Sequence, residues 1–459
     1  MTSRLARTRG RWRRGQVARF RLHPAQAVVL GFGIAVAVGT VLLVLPISKT
    51  GPGGANFVEA LFTATSAVCV TGLTVVDTPT YWSGFGQVVI MLLIQLGGLG
   101  IMIFAALIGL VLARKLTVRS RLNTATEAKA AGLDDVRGMV RGIVLISLVI
   151  EAAVFVLLMP RFLVHYDYGI GKAAWHALFH AVSSFNNAGF ALYTDNLIGF
   201  VEDPFICLPI CAAIILGGLG FPVIMQLRKH FRQPLHWTMN TKLVIWGTVV
   251  LLAAGTAYIS VLEWNNPDTF GRLSPWGRLL AGFFHSVQTR TAGFNSVDIG
   301  LMRDETWLGM DILMFIGGGP AGTSGGIKVT TFAVLFFIMV TELRGEGAVN
   351  IFGKRLSRAV HRQAITVVLI AVAAVLTGAG LLMLLSGENL DRAMFESVSA
   401  FATVGLSTGI TAGLSDAAQL VLVILMFLGR LGPLTLGSAI ALRQRRILYE
   451  LPKERPAIG

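Results

Sequence analysis

Apolar positions in this chain form long unbroken runs, with neither the two-residue alternation of a half-buried strand nor the narrow stripe of a surface helix. Uncharged runs cover Ala25–Pro46, Phe85–Ala113, Pro204–Leu227, Leu243–Leu262 and Ala364–Gly387. About 20 apolar residues suffice to carry a helix across roughly 30 Å of hydrocarbon. Runs of this length, apolar on every side, predict helices in lipid.

Between the runs lies a shorter pattern that recurs four times. It reads ALFTATSAVCVTGL at 60–73, ALFHAVSSFNNAGF at 177–190, GFFHSVQTRTAGF at 282–294 and AMFESVSAFATVGL at 393–406. Phe62, Phe179 and Phe395 stand ten residues before Gly72, Gly189 and Gly405, and Phe284 stands nine before Gly293. A second glycine motif follows each copy, starting at Gly97, Gly217, Gly317 and Gly429, at offsets of 25, 28, 24 and 24 residues. Two motifs at matched offsets in four copies indicate an internal repeat.

Each repeat reads as span, short segment, glycine-ended loop, span. First spans are predicted at about 25–46, 140–160, 243–262 and 363–386, and second spans at about 84–113, 204–227, 307–340 and 416–442. The short segments, about twelve residues each, cannot cross the bilayer at 1.5 Å per residue. They are predicted as re-entrant half-helices, which survive at membrane depth only inside protein or beside water. The expected fold class is an all-α polytopic membrane protein. Four fused helix–pore loop–helix repeats surround a pseudo-fourfold central pore, with eight crossings and four re-entrant pore helices. The expected boundaries are a basic tail at 1–23, repeats at 24–113, 114–227, 228–341 and 342–442, and a C-terminal tail at 443–459.

Composition supports the membrane reading. Hydrophobic residues make up 54% of the 459 and charged residues only 14%, against about 25% charged in soluble domains. The net charge of +15 suggests nucleic acid until its distribution is considered. Segments 1–23, 114–141, 228–242, 342–362 and 443–455 hold 29 of the 39 basic residues and seven of the 24 acids, a net +22 that leaves −7 for the rest. Basic segments recurring after pairs of spans follow the positive-inside rule. Both termini and the inter-repeat loops are therefore expected in the cytoplasm, and no nucleic acid is expected. Cys69, Cys207 and Cys211 show neither a disulfide framework nor zinc spacing. No paired carboxylates or nucleophile–base set suggests an enzyme.

Four half-helices with their C-terminal ends toward one axis favour a cation there. The chain after each is Val70-Thr71-Gly72, Asn187-Ala188-Gly189, Thr291-Ala292-Gly293 and Thr403-Val404-Gly405. Their carbonyls are the expected filter for a monovalent cation, replacing its hydration shell, and glycine supplies the unusual φ this needs. The second span of repeat three is interrupted at 317–326 by Gly317, Gly318, Gly319, Pro320, Gly322, Gly325 and Gly326 among ten residues, a composition that cannot hold a helix. A nucleotide-binding P-loop is excluded, because no Lys-Ser or Lys-Thr stands at the required spacing. Lys328 follows directly, and Arg430 lies within the last span. An intramembrane cation needs partners, and bare loop carbonyls are the expected ones. Arg290 is expected to point behind the filter and prop it. Glu151 is expected in a structural ion pair, and His176, His180 and His285 as packing or capping groups. Asp77 and Asp298 are candidates for concentrating cations at the outer mouth.

SAVCVTGL (66–73), TRTAGF (289–294), GGGPAGTSGGIK (317–328) and GRLGP (429–433) resemble the Trk/Ktr/HKT superfamily of potassium transporters, most of all its KtrB-type ion-translocating subunit, over roughly 24–442. The resemblance implies that Gly72, Gly189, Gly293 and Gly405 are filter glycines, and that glycine at all four goes with K+ selectivity. It implies that the broken segment is an intramembrane gating loop. It also implies a homodimer with one pore per subunit, regulated by a cytoplasmic ring of nucleotide-binding RCK subunits. The basic loops are candidate docking surfaces for that ring or for anionic membrane lipids. The expected function is K+ uptake across the bacterial cytoplasmic membrane, with no bound cofactor and with Na+ a candidate activator. Rival readings are a Na+-coupled cation symporter and the channel-like subunit of a K+-pumping ATPase.

Overall fold

The computed structural model describes residues 24–120 and 133–432, with side chains for 26–104 and 137–432. The two expected tails, the centre of the first basic loop (121–132) and the end of the last expected span from Pro433 lie outside the described residues.

The helices come in four similar groups. The first is α1 (Pro24–Val44), α2 (Phe57–Cys69), the single turn α3 (Thr78–Tyr81) and α4 (Gly84–Ser120). The second is α5 (Leu133–Val164), α6 (Ile170–Phe185), α7 (Pro204–Leu219) and α8 (Phe221–His230). The third is α9 (Met239–Glu263), α10 (Pro275–Gln288), α11 (Asp304–Phe315) and α12 (Val329–Leu343). The fourth is α13 (Arg358–Ser386), α14 (Leu390–Ala402) and α15 (Asp416–Leu431). Among the described residues, five helices are long and apolar enough to cross a membrane, in α1, α4, α5, α9 and α13; α7 and α8 together make a sixth, bent by 98°.

That bend corrects one expectation. The span predicted at 204–227 is not continuous, because Gly220 takes φ +89° between α7 and α8. Pro222 at the second position of α8 cannot donate to the α7 ladder. The freed Phe221 N–H instead donates 3.1 Å to the carbonyl of Ala321, in the glycine-rich segment of the third group. The break in that third group extends over 316–328, slightly beyond the expected 317–326.

The short helices α2, α6, α10 and α14 run 13, 16, 14 and 13 residues, about 20–24 Å at 1.5 Å per residue. Local signals start them. Asn56 and Glu59 form a capping box on α2, and Ser274 caps α10 ahead of Pro275. Their closing turns are wholly buried, and the recurrent Phe62, Phe179, Phe284 and Phe395 are all at most 1% exposed. The long helices show the reverse. Leu30, Ile34, Val38 and Val41 of α1 stand 50–65% exposed along one face, the arrangement of a protein whose exterior solvent is lipid. The short helices thus form the interior. The fourth group closes on the first, since α15 packs on α2.

Between α12 and α13 the chain forms a small hairpin, β1 (Asn350–Ile351) and β2 (Lys354–Arg355), turning on Phe352 and Gly353 at positive φ. Val349, Ile351 and Leu356 bury against Leu243 and Val334, and Lys354 and Arg355 stay exposed. The basic loop 342–362 is therefore an ordered surface.

Candidate ion pathway

The four glycine loops share one backbone pattern. Val70, Asn187, Thr291 and Thr403 lie at φ +56°, +58°, +71° and +51°, and Gly72, Gly189, Gly293 and Gly405 at +90°, +69°, +80° and +94°. The residues between them, Thr71, Ala188, Ala292 and Val404, do not have positive φ. A left-handed conformation costs a non-glycine residue roughly 1–2 kcal/mol, and is most unusual for β-branched Val and Thr. Such strain persists only where surrounding structure over-determines it, commonly at functional sites.

Hydrogen bonds supply the restraint. The N–H of Thr71 donates 2.8 Å to Ser66 O, that of Ala188 2.7 Å to Ser183 O, and that of Val404 2.8 Å to Ser399 O. Ala292 donates 3.0 Å to Gln288 O, one residue closer in sequence, which absorbs the shorter third copy. The hydroxyls of Ser66 and Ser399 accept from Gly72 and Gly405, each at 3.1 Å. Gln288 Oε1 accepts from Phe294 at 3.1 Å. The loop N–H groups are thus held back toward their own helices.

The loops also meet one another in cyclic order. A Cβ on Gly72 would stand 2.3 Å from Ala188 O, one on Gly189 2.5 Å from Ala292 O, one on Gly293 2.3 Å from Val404 O, and one on Gly405 2.1 Å from Thr71 O. The ring closes through Thr71, Gly72, Ala188, Gly189, Ala292, Gly293, Val404 and Gly405.

The second glycine motif has a physical cause as well. A Cβ on Gly97, Gly217 or Gly429 would fall 2.0, 2.1 or 1.6 Å from the carbonyl of Val68, Phe185 or Phe401. These carbonyls close the last turns of α2, α6 and α14, so the glycines let each following helix lie against a short-helix end. The third copy differs. Gly317 lies in the break, its N–H donating 2.8 Å to Ile327 O across the neck of the loop.

That broken segment runs beside the ring. Gly319 and Thr323 N–H groups donate 2.7 and 3.1 Å to Gly218 O and Gly217 O. A Cβ on Gly325 would stand 1.9 Å from Thr403 Oγ1. Asn187 of the second loop bonds Thr323 and Ser324 through its side chain. Lys328 Nζ donates 2.5 Å back to Ser324 O. Arg430, 4% exposed, donates to Thr323 O and, at 3.1 Å, to Gly97 O. Both cations are thus met by main-chain carbonyls. Arg290 is buried behind the loops, with Nη2 3.5 Å from Gly317 O.

On the other side of the ring a cavity of about 470 Å³ is lined by Gly72, Gly189 and Gly405 together with Asp77, Asp195 and Asp298. Asp77 also accepts from Thr80 and Thr194, and Asp298 caps Gly300. Asp195 joins this mouth without having been marked by its sequence position.

Glu151 departs from expectation. It forms no ion pair among the described residues; its Oε1 accepts from Asn186 Nδ2 at 3.3 Å, and Asn186 also bonds Gln95 at 2.8 Å. Apolar helices on all sides bring it amides in place of a cation. Glu263 and Glu396 were not singled out by sequence either. Glu263 accepts from Asn266, Thr269, Thr306 and the Arg303 N–H, and Glu396 from Ser407, Thr411 and the Thr408 N–H, pinning the chain outside the third and fourth loops. His180 and His285 each bond the carbonyl four residues before them, as packing residues do. The three cysteines are free and buried, and no group of His, Cys, Asp and Glu suited to a metal exists among the described residues.

The chain is 40% identical to the Ktr system potassium uptake protein B of Bacillus subtilis over 421 residues, covering 92% of this chain and 94% of that one. It is 33% identical to the potassium/sodium uptake protein NtpJ of Enterococcus hirae, covering 96% and 98%. Its fold matches the crystal structure of the potassium transporter TrkH from Vibrio parahaemolyticus with a TM-score of 0.72 at 17% identity, over 92% of this chain and 86% of that chain. The TrkH family of cation transport proteins matches residues 40–447. This chain belongs to that family.

Proposed function

We propose that this chain carries K+ into the cell across the bacterial cytoplasmic membrane, as the channel-like subunit of a Ktr/Trk-type uptake system. The observation that carries the reading is the closed ring of four glycine loops. Their N–H groups are tied back to the short helices, which leaves main-chain carbonyls to face the axis and coordinate a dehydrated monovalent cation. The filter is residues 70–72, 187–189, 291–293 and 403–405. The eight crossings are α1, α4, α5, α7–α8, α9, α11–α12, α13 and α15, and α2, α6, α10 and α14 are the re-entrant pore helices. Segment 316–328 is the gate. It lies against the filter loops, and Lys328 and Arg430 beside it set two positive charges against a permeating cation. The chain works as a homodimer, with both termini in the cytoplasm. A separate nucleotide-binding RCK-type ring acts on the gate from there; the name "Ktr system" of the Bacillus relative supports a system of more than one component. The name of the Enterococcus relative adds Na+ as an ion to be measured.

The test is flux from liposomes holding the purified chain alone, under imposed K+ or Na+ gradients. K+-selective flux that needs no second ion is the expected result. Flux that appears only with Na+ on the same side would replace the gated pore with the coupled symporter.

A further inference from the structure

We propose that the Asn187 side chain couples the filter to the blocking segment, so that ion occupancy and gate position bias each other. The inference rests on the gate reading above and deepens it. Asn187 is a filter residue by its main chain, left-handed at φ +58° and 1% exposed. Its carboxamide leaves the filter altogether. Nδ2 donates 3.2 Å to Ser324 Oγ, and Oδ1 accepts 3.0 Å from Thr323 Oγ1. Both ends of one amide are thus engaged by adjacent residues of the broken segment.

The three equivalent positions do not do this. Val70 has no polar group, and the hydroxyls of Thr291 and Thr403 are buried without a hydrogen-bond partner. Asparagine suits the position twice over. It tolerates the left-handed conformation, and it alone of these residues offers both a donor pair and an acceptor.

The surroundings make the link stiff. Asn186 anchors the same loop from behind, donating to Gln95 and Glu151. Thr323 is held at three atoms: its N–H by Gly217 O, its carbonyl by Arg430 and its hydroxyl by Asn187. Withdrawing the segment strips Asn187 of both partners in a site where a lost buried bond is costly. Conversely, any peptide rotation in loop two as an ion enters or leaves moves the Asn187 Cβ, and with it the two hydroxyls. Coupling of this kind is reciprocal by linkage: the factor by which the segment alters K+ affinity equals the factor by which K+ alters the segment.

The loop-side variants Thr323→Val and Ser324→Ala, singly and together, remove the partners without touching the filter backbone. In liposomes without any cytoplasmic partner, the double variant is expected to raise resting K+ flux by about tenfold, the effect of losing two neutral hydrogen bonds. Its half-saturating K+ concentration shifts at the same time. An unshifted half-saturating concentration in the double variant overturns the proposal. Deleting 321–325 serves as the separate control. If that deletion leaves resting flux unchanged, it is the gate reading that falls.

Discussion

Arg430 holds a guanidinium inside the protein with no ion pair among the described residues. Two carbonyls far apart in sequence, Thr323 and Gly97, receive it. A planar fork reaches both; a lysine ammonium, a point charge on a flexible stem, does not replace it. Hydrogen bonds to charged groups are worth about 1.5–3 kcal/mol each. Arg430→Ala should therefore weaken closure by about 3 kcal/mol, roughly a hundredfold in the closed-to-open ratio. Partner-free K+ flux in liposomes should rise strongly in Arg430→Ala and by less in Arg430→Lys; flux equal to the parent protein in both would remove Arg430 from the gate. Residues at this scale were unevenly legible. Gly72, Gly189, Gly293 and Gly405 mark positive φ openly, because glycine is the residue that adopts it freely. Val70, Thr291 and Thr403 hide it, because β-branched residues advertise strands. The partners of Arg430 and Asn187 lie 107 to 333 and 136 to 137 residues away in sequence, beyond the reach of any local pattern.

Among the elements, the close approach of following helices to the short-helix ends has a direct test. Gly429→Ala places a methyl against the main chain of α14, where no flexible side chain can give way. Gly380, inside α13 and six residues from its C-terminal end, has nothing within 4 Å of its Cβ position. Thermal unfolding in detergent should show Gly429→Ala strongly destabilised or unrecoverable. Gly380→Ala should be neutral, or more stable by up to about 1 kcal/mol from helix propensity. Equal melting of the two would refute the packing argument. The matched offsets of these glycines were readable in the chain, but not their purpose, since a helix end is not visible until another helix rests on it. The same motif misled at Gly220, where Gly-Gly-Leu-Gly reads as part of one span and instead precedes a 98° bend. The bend is fixed by Ala321, a residue of another repeat. The 350–355 hairpin escaped notice because two-residue strands carry too little alternation to register.

For the molecule as a whole, charge is arranged by side. The cavity on one side of the ring carries Asp77, Asp195 and Asp298, and the broken segment meets Lys328 and Arg430. Carboxylates in a concave mouth raise the local cation concentration, an effect that salt screens over about 10 Å at 0.1 M and about 3 Å at 1 M. Asp77 and Asp298 also tie loops, so Asp195→Asn isolates the electrostatic part. It should lower K+ uptake a few-fold at low ionic strength and leave it unchanged near 1 M salt, as measured by flux at fixed K+ with added impermeant salt. A loss independent of salt would make Asp195 a structural residue.

The glycine ring has one more consequence. Each corner rests on a carbonyl of the repeat that follows, and the last rests on the first. A methyl added at one corner therefore strikes its neighbour, and the disturbance has a direction of travel. In a pore of four identical chains, one codon alters every corner at once. Here each corner has its own codon, so the ring can be changed one corner at a time.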